Sequence, residues 1–259
     1  MLLTFDIGNT NITIGLFDGA KLKHQWRLNS DMKKSVDDYA VDIIELFLTH
    51  KVDCLKVEGC IIASVVPLLT ARVHEAVRKF LNETITKKIL VVGDGKTKLN
   101  IDIKLKNKNE VGQDRLINAI AGFKKFGGNL IIIDLGTATT FDVIDSQGKY
   151  LGGVISPGIN LSLKALHDMT AQLPRINIKP QKNVIGKSTV EAMNSGVYFG
   201  YISLLEGMIE KIETELGCKT KHIITGGLAE IFKEALKDKI DYHEPDLTLE
   251  GLKIVFEQN

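Results

Sequence analysis

Two stretches of this chain set an aspartate, a glycine and a threonine where they could hold a phosphorylated ligand. The first is Asp6-Ile7-Gly8-Asn9-Thr10-Asn11-Ile12-Thr13 and the second Asp134-Leu135-Gly136-Thr137-Ala138-Thr139. In each, an apolar run ends on Asp, a turn containing Gly follows, and an apolar run resumes. Glycine lets the backbone approach a phosphate with no Cβ in the way. Successive turn N–H groups, with the hydroxyls of Thr10 and Thr137, form an anion-binding concavity. Asp6 and Asp134 are hard oxygen donors suited to Mg²⁺ or another hard cation. One such turn is an ordinary hairpin; two copies about half the chain apart are a stronger sign. The chemistry they suit is phosphoryl transfer, which also needs a group to orient or deprotonate the acceptor.

Gly112-Gln113-Asp114-Arg115 is a candidate for that last part. It opens a helix whose apolar face includes Leu116, Ile120 and Phe123. An Asp at a helix start is favourable on structural grounds alone, and Arg115 reads equally as a surface charge. As functional groups, Asp114 accepts a hydroxyl proton as general base and Arg115 grips a carboxylate or phosphate with its guanidinium fork. Other candidates drop out. Gly95-Lys96-Thr97 and Gly186-Lys187-Ser188 end like a P-loop, but Leu90 and Gln181 stand where its first Gly belongs. No Gly-x-Gly-x-x-Gly follows a strand. The six histidines, His24, His50, His74, His167, His222 and His243, form no pair at metal-ligand spacing.

The elements that must position these residues come in two sets. Leu2 to Ile7, Ile12 to Phe17 and Ala20 to Leu28 read as three antiparallel strands. A helix from Val36, a buried strand Cys60 to Val65, a helix from Pro67 to about Leu81 and a strand Ile89 to Val92 follow. The plan then repeats with Leu130 to Leu135, Thr140 to Asp145 and Tyr150 to Ile155. A long helix from about Ser188 to Glu215 comes next, opened by a capping-box pattern of Ser188 and Glu191. Strand His222 to Thr225, the Gly226-Gly227 turn and a helix to about Lys237 complete the repeat. Within the long helix, Gly196 and Gly200, with Ala192 and Ser195, are expected to pack inside their own lobe. The expected division is 1–113 and 114–259, two α/β lobes with mixed sheets.

The 259 residues are 44% hydrophobic and 25% charged with a net charge of +1. Nothing in that balance calls for nucleic acid or an anionic membrane, and Lys96 to Lys108 reads as a solvated basic face. No apolar stretch approaches a membrane span. Cys54, Cys60 and Cys218 make no Cys-x-x-Cys pair, against a disulfide framework or zinc site. With no charged leader before Leu2, the expected location is the cytoplasm.

Taken in order, Asp6 to Thr13, Gly112 to Asn118, Asp134 to Asp142, Gly152-Gly-Val-Ile-Ser-Pro-Gly158 and Gly186 to Met193 resemble type III pantothenate kinases over nearly the whole chain. The Asp-x-Gly turns are common to the wider superfamily of actin, sugar kinases and heat-shock ATPases; the Gly-x-Asp-Arg and Gly-Thr-Ala-Thr-Thr segments are more specific. The resemblance implies two ribonuclease H-like lobes, an actin-like ATPase duplication, with ATP in the interlobe cleft. It implies transfer of the γ-phosphate of ATP to the primary hydroxyl of pantothenate, the opening step of coenzyme A synthesis. Asp6, Ile7, Gly8, Asn9, Thr10, Asn11, Ile12 and Thr13 would bind the ATP phosphates, joined by Thr137, with Asp6 also a ligand for Mg²⁺. Asp114 would take the proton, within a pantothenate-contacting segment Gly112, Gln113, Asp114 and Arg115. Asp134 would ligate K⁺ or NH₄⁺, Thr189 would contact pantothenate, and the chain would work as a homodimer. Leu105 stands where many family members carry an aromatic residue against the substrate. The alternatives are a non-catalytic regulator on the same fold and a kinase for another small hydroxylated or carboxylate substrate.

Overall fold

The computed structural model describes residues 1–81 and 88–259. They form two compact units. Unit 1 comprises Met1–Ile101, Asn107–Ala121 and Leu247–Asn259; unit 2 comprises Asp102–Lys106 and Gly122–Asp246. Both differ from contiguous halves, because the last helix belongs to unit 1 and a five-residue strap at 102–106 belongs to unit 2.

Unit 1 is built on β1 (Leu2–Ile7), β2 (Asn11–Asp18), β3 (Lys21–Asn29), β4 (Gly59–Ser64) and β5 (Ile89–Val91) in the order β3-β2-β1-β4-β5. The β1–β2 and β2–β3 pairs are antiparallel; β1–β4 and β4–β5 are parallel. A tight hairpin joins antiparallel neighbours, whereas parallel neighbours need a crossover. Helices α1 (Val36–Thr49) and α2 (Pro67–Phe80) supply the crossovers. Ser35 starts α1 with a complete capping box to Asp38, satisfying two orphan N–H donors at once. Leu3, Phe5 and Ile7 of β1 pack with Tyr39, Ile43 and Phe47 of α1 and Leu69, Val73 and Val77 of α2.

Helix α3 (Gln113–Phe126) leads into unit 2, where β6 (Leu130–Leu135), β7 (Ala138–Ile144), β8 (Tyr150–Pro157), β9 (Lys221–Thr225) and β10 (Tyr242–His243) repeat the same order and pairing directions. Helices α4 (Ile159–Asp168) and α5 (Thr189–Leu216) cross over between β8 and β9, and the short α6 (Ala229–Phe232) follows β9. Ile131, Ile133, Phe141, Leu163, Val197, Tyr201 and Leu205 form the core of this unit. The helix expected to reach Lys237 ends at Phe232 and gives way to turns. Ser188 caps α5 by accepting the N–H of Glu191 at 3.2 Å. Glu191 does not complete the box on Ser188; its carboxylate accepts the N–H of Lys187 at 2.7 Å.

The chain then returns to unit 1 with α7 (Leu247–Glu257). Its Leu249, Leu252 and Val255 pack with Phe17, Ile61 and Ala63 on the second face of the first sheet, and with Ile117 of α3. Two glycines permit that approach: a Cβ on Gly59 would stand 2.3 Å from the Phe256 ring, and one on Gly251 2.6 Å from the Ile117 carbonyl oxygen. Among the described residues no helix is long and apolar enough to cross a membrane.

Candidate active site

Asp6 and Asp134 occupy equivalent sites. Each is the next-to-last residue of the central strand of its sheet, opposite Thr13 and Ala63 in unit 1 and opposite Thr140 and Thr225 in unit 2. Both are half-buried. The residue after each takes a further backbone bond across the sheet end: Ile7 O accepts the N–H of Val65 at 3.1 Å, and Leu135 O that of Leu228 at 3.4 Å. Strand alternation explains the placement, since the neighbours Phe5, Ile7, Ile133 and Leu135 turn into the cores while the aspartates face the other way.

The turns themselves differ. In the first, Ile7 pairs with Ile12, leaving Gly8, Asn9, Thr10 and Asn11 between them. Gly8 N–H donates to Asn11 O at 2.9 Å, and Ser30 holds the outer side, its N–H donating to Thr10 O at 3.0 Å and its hydroxyl to Gly8 O at 2.6 Å. Asn9 and Thr10 are exposed, whereas Ile7 and Ile12 are fully buried. Of the eight residues Asp6 to Thr13, these two isoleucines therefore present only backbone to a ligand. Gly8 has no positive φ, and a Cβ there would meet only Asn11 O at 3.3 Å. The turn itself asks for glycine only through this one tight contact, and the missing Cβ also leaves the backbone open to close approach.

In the second turn Leu135 pairs with Thr139, and only Gly136, Thr137 and Ala138 lie between. Gly136 N–H donates to Ala138 O at 3.1 Å. Two distant glycines back this turn. A Cβ on Gly158, the residue before α4, would lie 2.1 Å from Thr137 O. One on Gly226, whose φ is +95°, would lie 2.4 Å from an Asp134 carboxylate oxygen and 2.6 Å from Leu135 N. The Asp134 carboxylate is thus set in a tight backbone frame. In the sequence Gly226 reads as a turn residue and Gly158 only as the end of the Gly152 to Gly158 segment; their contact with the second hairpin leaves no mark there.

Asp114 lies in the first turn of α3 and is half-buried. One of its oxygens accepts the N–H of Arg115 at 2.9 Å and would lie 2.5 Å from a Cβ on Gly112. Glycine at 112 thus leaves the carboxylate room to fold against the helix start. The helix is anchored further on, where buried Asn118 accepts the Thr248 hydroxyl of α7 at 2.8 Å. Gln113 lies beside Gly93, its amide nitrogen 3.2 Å from where a Cβ would stand.

Thr189 is the first residue of α5 and is exposed. It lines an apolar groove of about 870 Å³ between α4 and α5, with Ala165, Leu166, Met169, Ala192 and Gly196 among the other walls. Gly196 and Gly200 are exposed, with nothing within 4 Å of an added Cβ. Of the small residues expected to pack inside the lobe, Gly196 and Gly200 instead open onto the groove, while Ser195 is buried and Gly186 presses on the backbone at Ala192. In the strap, Lys104 N–H donates to Tyr150 O at 2.9 Å, and Leu105 lies 3.3 Å from a Cβ position on Gly152.

Among the described residues no cluster of three or more His, Cys, Asp or Glu could hold a metal. A single carboxylate at each turn is enough for a hard cation; Mg²⁺, for one, commonly takes one or two carboxylates and completes its shell with substrate phosphates and water.

Three comparisons bear on what this arrangement belongs to. The family model for type III pantothenate kinase matches residues 2–211. A type III pantothenate kinase from Paramagnetospirillum magneticum is 44% identical over 259 residues, covering 100% of this chain and 98% of that one. Among solved structures, a Campylobacter jejuni protein described as a Baf family transcriptional activator superposes with a TM-score of 0.61 at 20% identity, covering 99% and 98% of the two chains. One from Sinorhizobium meliloti described as a 2-dehydro-3-deoxygalactonokinase does so at 0.59 and 8% identity, covering 100% and 99%. The structural likenesses show a shared α/β fold over nearly the whole chain. The sequence matches go further: this chain belongs to the type III pantothenate kinase family.

Proposed function

We propose that this chain transfers the γ-phosphate of ATP to the primary hydroxyl of pantothenate, giving 4′-phosphopantothenate for coenzyme A synthesis in the cytoplasm. The observation that carries the reading is the pair of equivalent Asp-x-Gly hairpins together with the Asp114 helix start, in a chain of this family. The turn at Gly8 to Asn11, flanked by Asp6, Ile7, Ile12 and Thr13, cradles the ATP phosphates, its exposed tip at Asn9 and Thr10 offering backbone N–H groups and the Thr10 hydroxyl. Thr137 contributes a further hydroxyl to ATP binding. Asp6 holds Mg²⁺, which neutralises charge on the β- and γ-oxygens when bound. Asp134, framed by Gly136 and Gly226, holds the monovalent cation, K⁺ or NH₄⁺.

Asp114 accepts the hydroxyl proton, and Gly112, Gln113 and Arg115 bind pantothenate beside it. The guanidinium of Arg115 suits the pantothenate carboxylate, a planar anion that two parallel N–H donors can grip. The chain acts as a homodimer, the second copy covering the apolar groove between α4 and α5 and meeting Thr189 at its edge. An exposed apolar groove of this size is a characteristic interaction surface.

Phosphopantothenate formation by wild type and by Asp114→Asn, with ATP, Mg²⁺ and K⁺, tests the assignment. The asparagine keeps an oxygen for the Arg115 N–H, so the helix start is preserved. Loss of the base lowers kcat by about 10²- to 10⁴-fold. A near-normal kcat would remove Asp114 from the role.

A further inference from the structure

The fourteen residues after Leu173 and before Ser188 form no helix or strand. They cross unit 2 as a strap, anchored at one end by Ile178, which is 8% exposed in the core. The rest is tied to the first two turns of α5 by side chains that point out of the helix. Asn194 is 6% exposed and Ser195 4%. The Asn194 carbonyl oxygen accepts the N–H of Lys179 at 3.2 Å, while its amide donates to Val190 O within the helix at 3.2 Å. The Ser195 hydroxyl donates to Val184 O. Further along, Glu191 accepts the N–H of Lys187. At Gly186 the strap touches the helix backbone itself: a Cβ there would lie 2.3 Å from Ala192 N.

Polar side chains are rarely buried unless they satisfy a partner, and leaving that partner unpaired is costly. Apart from the amide bond of Asn194 to its own helix, the hydrogen bonds these two side chains make are to strap backbone. Neither residue lines the groove that holds Thr189. Their contact is with the segment that delivers the chain to Ser188 and Thr189.

We propose that Asn194 and Ser195 are positioning residues for pantothenate: they clip the strap to α5, and the clipped strap fixes where Thr189 stands. This rests on the reading of Thr189 as a pantothenate contact. The strap also carries Val184 and Ile185, 66% and 83% exposed, on its outer side. Ile176 and Ile178 hold its first part against the core; from Lys179 onward the inward hold comes from polar clips and the Gly186 contact, while these apolar side chains point to solvent.

Steady-state kinetics and limited trypsin digestion of Ser195→Ala and Asn194→Ala test the proposal. Lys182 and Lys187 in the strap are exposed trypsin sites whose cleavage depends on local release. Each variant is expected to raise KM for pantothenate about five- to tenfold, the size of one lost hydrogen bond. KM for ATP and kcat stay within about twofold of wild type, and strap cleavage accelerates. A purely structural role would instead lower the active fraction, reducing kcat without that KM split. If Ser195→Ala frees the strap to trypsin while KM for pantothenate is unchanged, or if neither quantity moves, the proposal is wrong. Should the wild-type protein fail to phosphorylate pantothenate at all, the reading of the site falls and the proposal with it.

Discussion

The two Asp-x-Gly hairpins share strand order and pairing direction but differ by one residue in register, and they are built for different loads. The first has four residues in its turn, is held on its outer side by Ser30, and exposes Asn9 and Thr10. The second has three, and is pressed from behind by the backbone at Gly158 and Gly226. Where unit 2 places Gly226 after its third-paired strand, unit 1 places Ser64, whose hydroxyl accepts the N–H of Val66 at 2.9 Å. An open turn rich in amides suits a polyanion; a rigid frame around one carboxylate suits a cation. Duplication supplied two equal starting points, and contacts from remote segments made them unequal.

The comparison breaks most visibly at the glycines. Gly226→Ala puts a Cβ into Asp134 and Leu135 at a φ of +95°, and is expected to cost about 2–4 kcal/mol in urea unfolding. Gly8→Ala meets only one carbonyl at 3.3 Å, so unfolding shifts by no more than about 1 kcal/mol. KM for ATP nevertheless rises about tenfold or more, because the methyl occupies the path of the phosphate. Equal stability losses at the two glycines, or an unchanged KM for ATP in Gly8→Ala, would erase the distinction drawn between the turns.

A smaller effect isolates unit 2 stability from its hairpin. Burial opposes ionisation of Glu213, but hydrogen bonds from Lys219 Nζ at 2.7 Å and Thr220 N–H at 2.9 Å outweigh it and hold the carboxyl at about 2. A folded value below the ordinary 4.5 means its stabilisation is present above about pH 4.5 and is lost as pH falls toward 2. Glu213→Gln should cost about 1–2 kcal/mol at pH 7, progressively less on acidification through that window, with KM for ATP and pantothenate unchanged. A cost that is the same at pH 3 and pH 7 would count against the ionised carboxylate as its source. Smallest of all, Ser30→Ala removes one bond to Gly8 O and is expected to cost about 1 kcal/mol, with a rise of only a few-fold in KM for ATP.

Much of this was legible locally. Alternating apolar runs broken at Asp-x-Gly specified both hairpins, and Ser188 with Glu191 marked the start of α5 to the residue. What local pattern could not carry was tertiary choice. The elements expected from the sequence end with a helix to about Lys237 and miss the one over Leu249, Leu252 and Val255, which covers the first sheet through room left by glycines at 59 and 251. Ile7 and Ile12 fall inside the phosphate-binding motif, yet strand alternation buries their side chains. The stripe at Gly196 and Gly200 reads as close packing, but smallness alone does not say whether the neighbour is in the same chain. Gly226 reads only as a turn residue, and Gly158 only as the end of a glycine-containing segment, because making room for a hairpin far away in sequence leaves no local mark.

The most direct test of the account is product identification with the wild-type protein. Incubation with ATP, Mg²⁺, K⁺ and pantothenate should yield 4′-phosphopantothenate by mass spectrometry, one for each ADP released. ADP release without that product, or no turnover under conditions where the folded protein binds ATP, would contradict it.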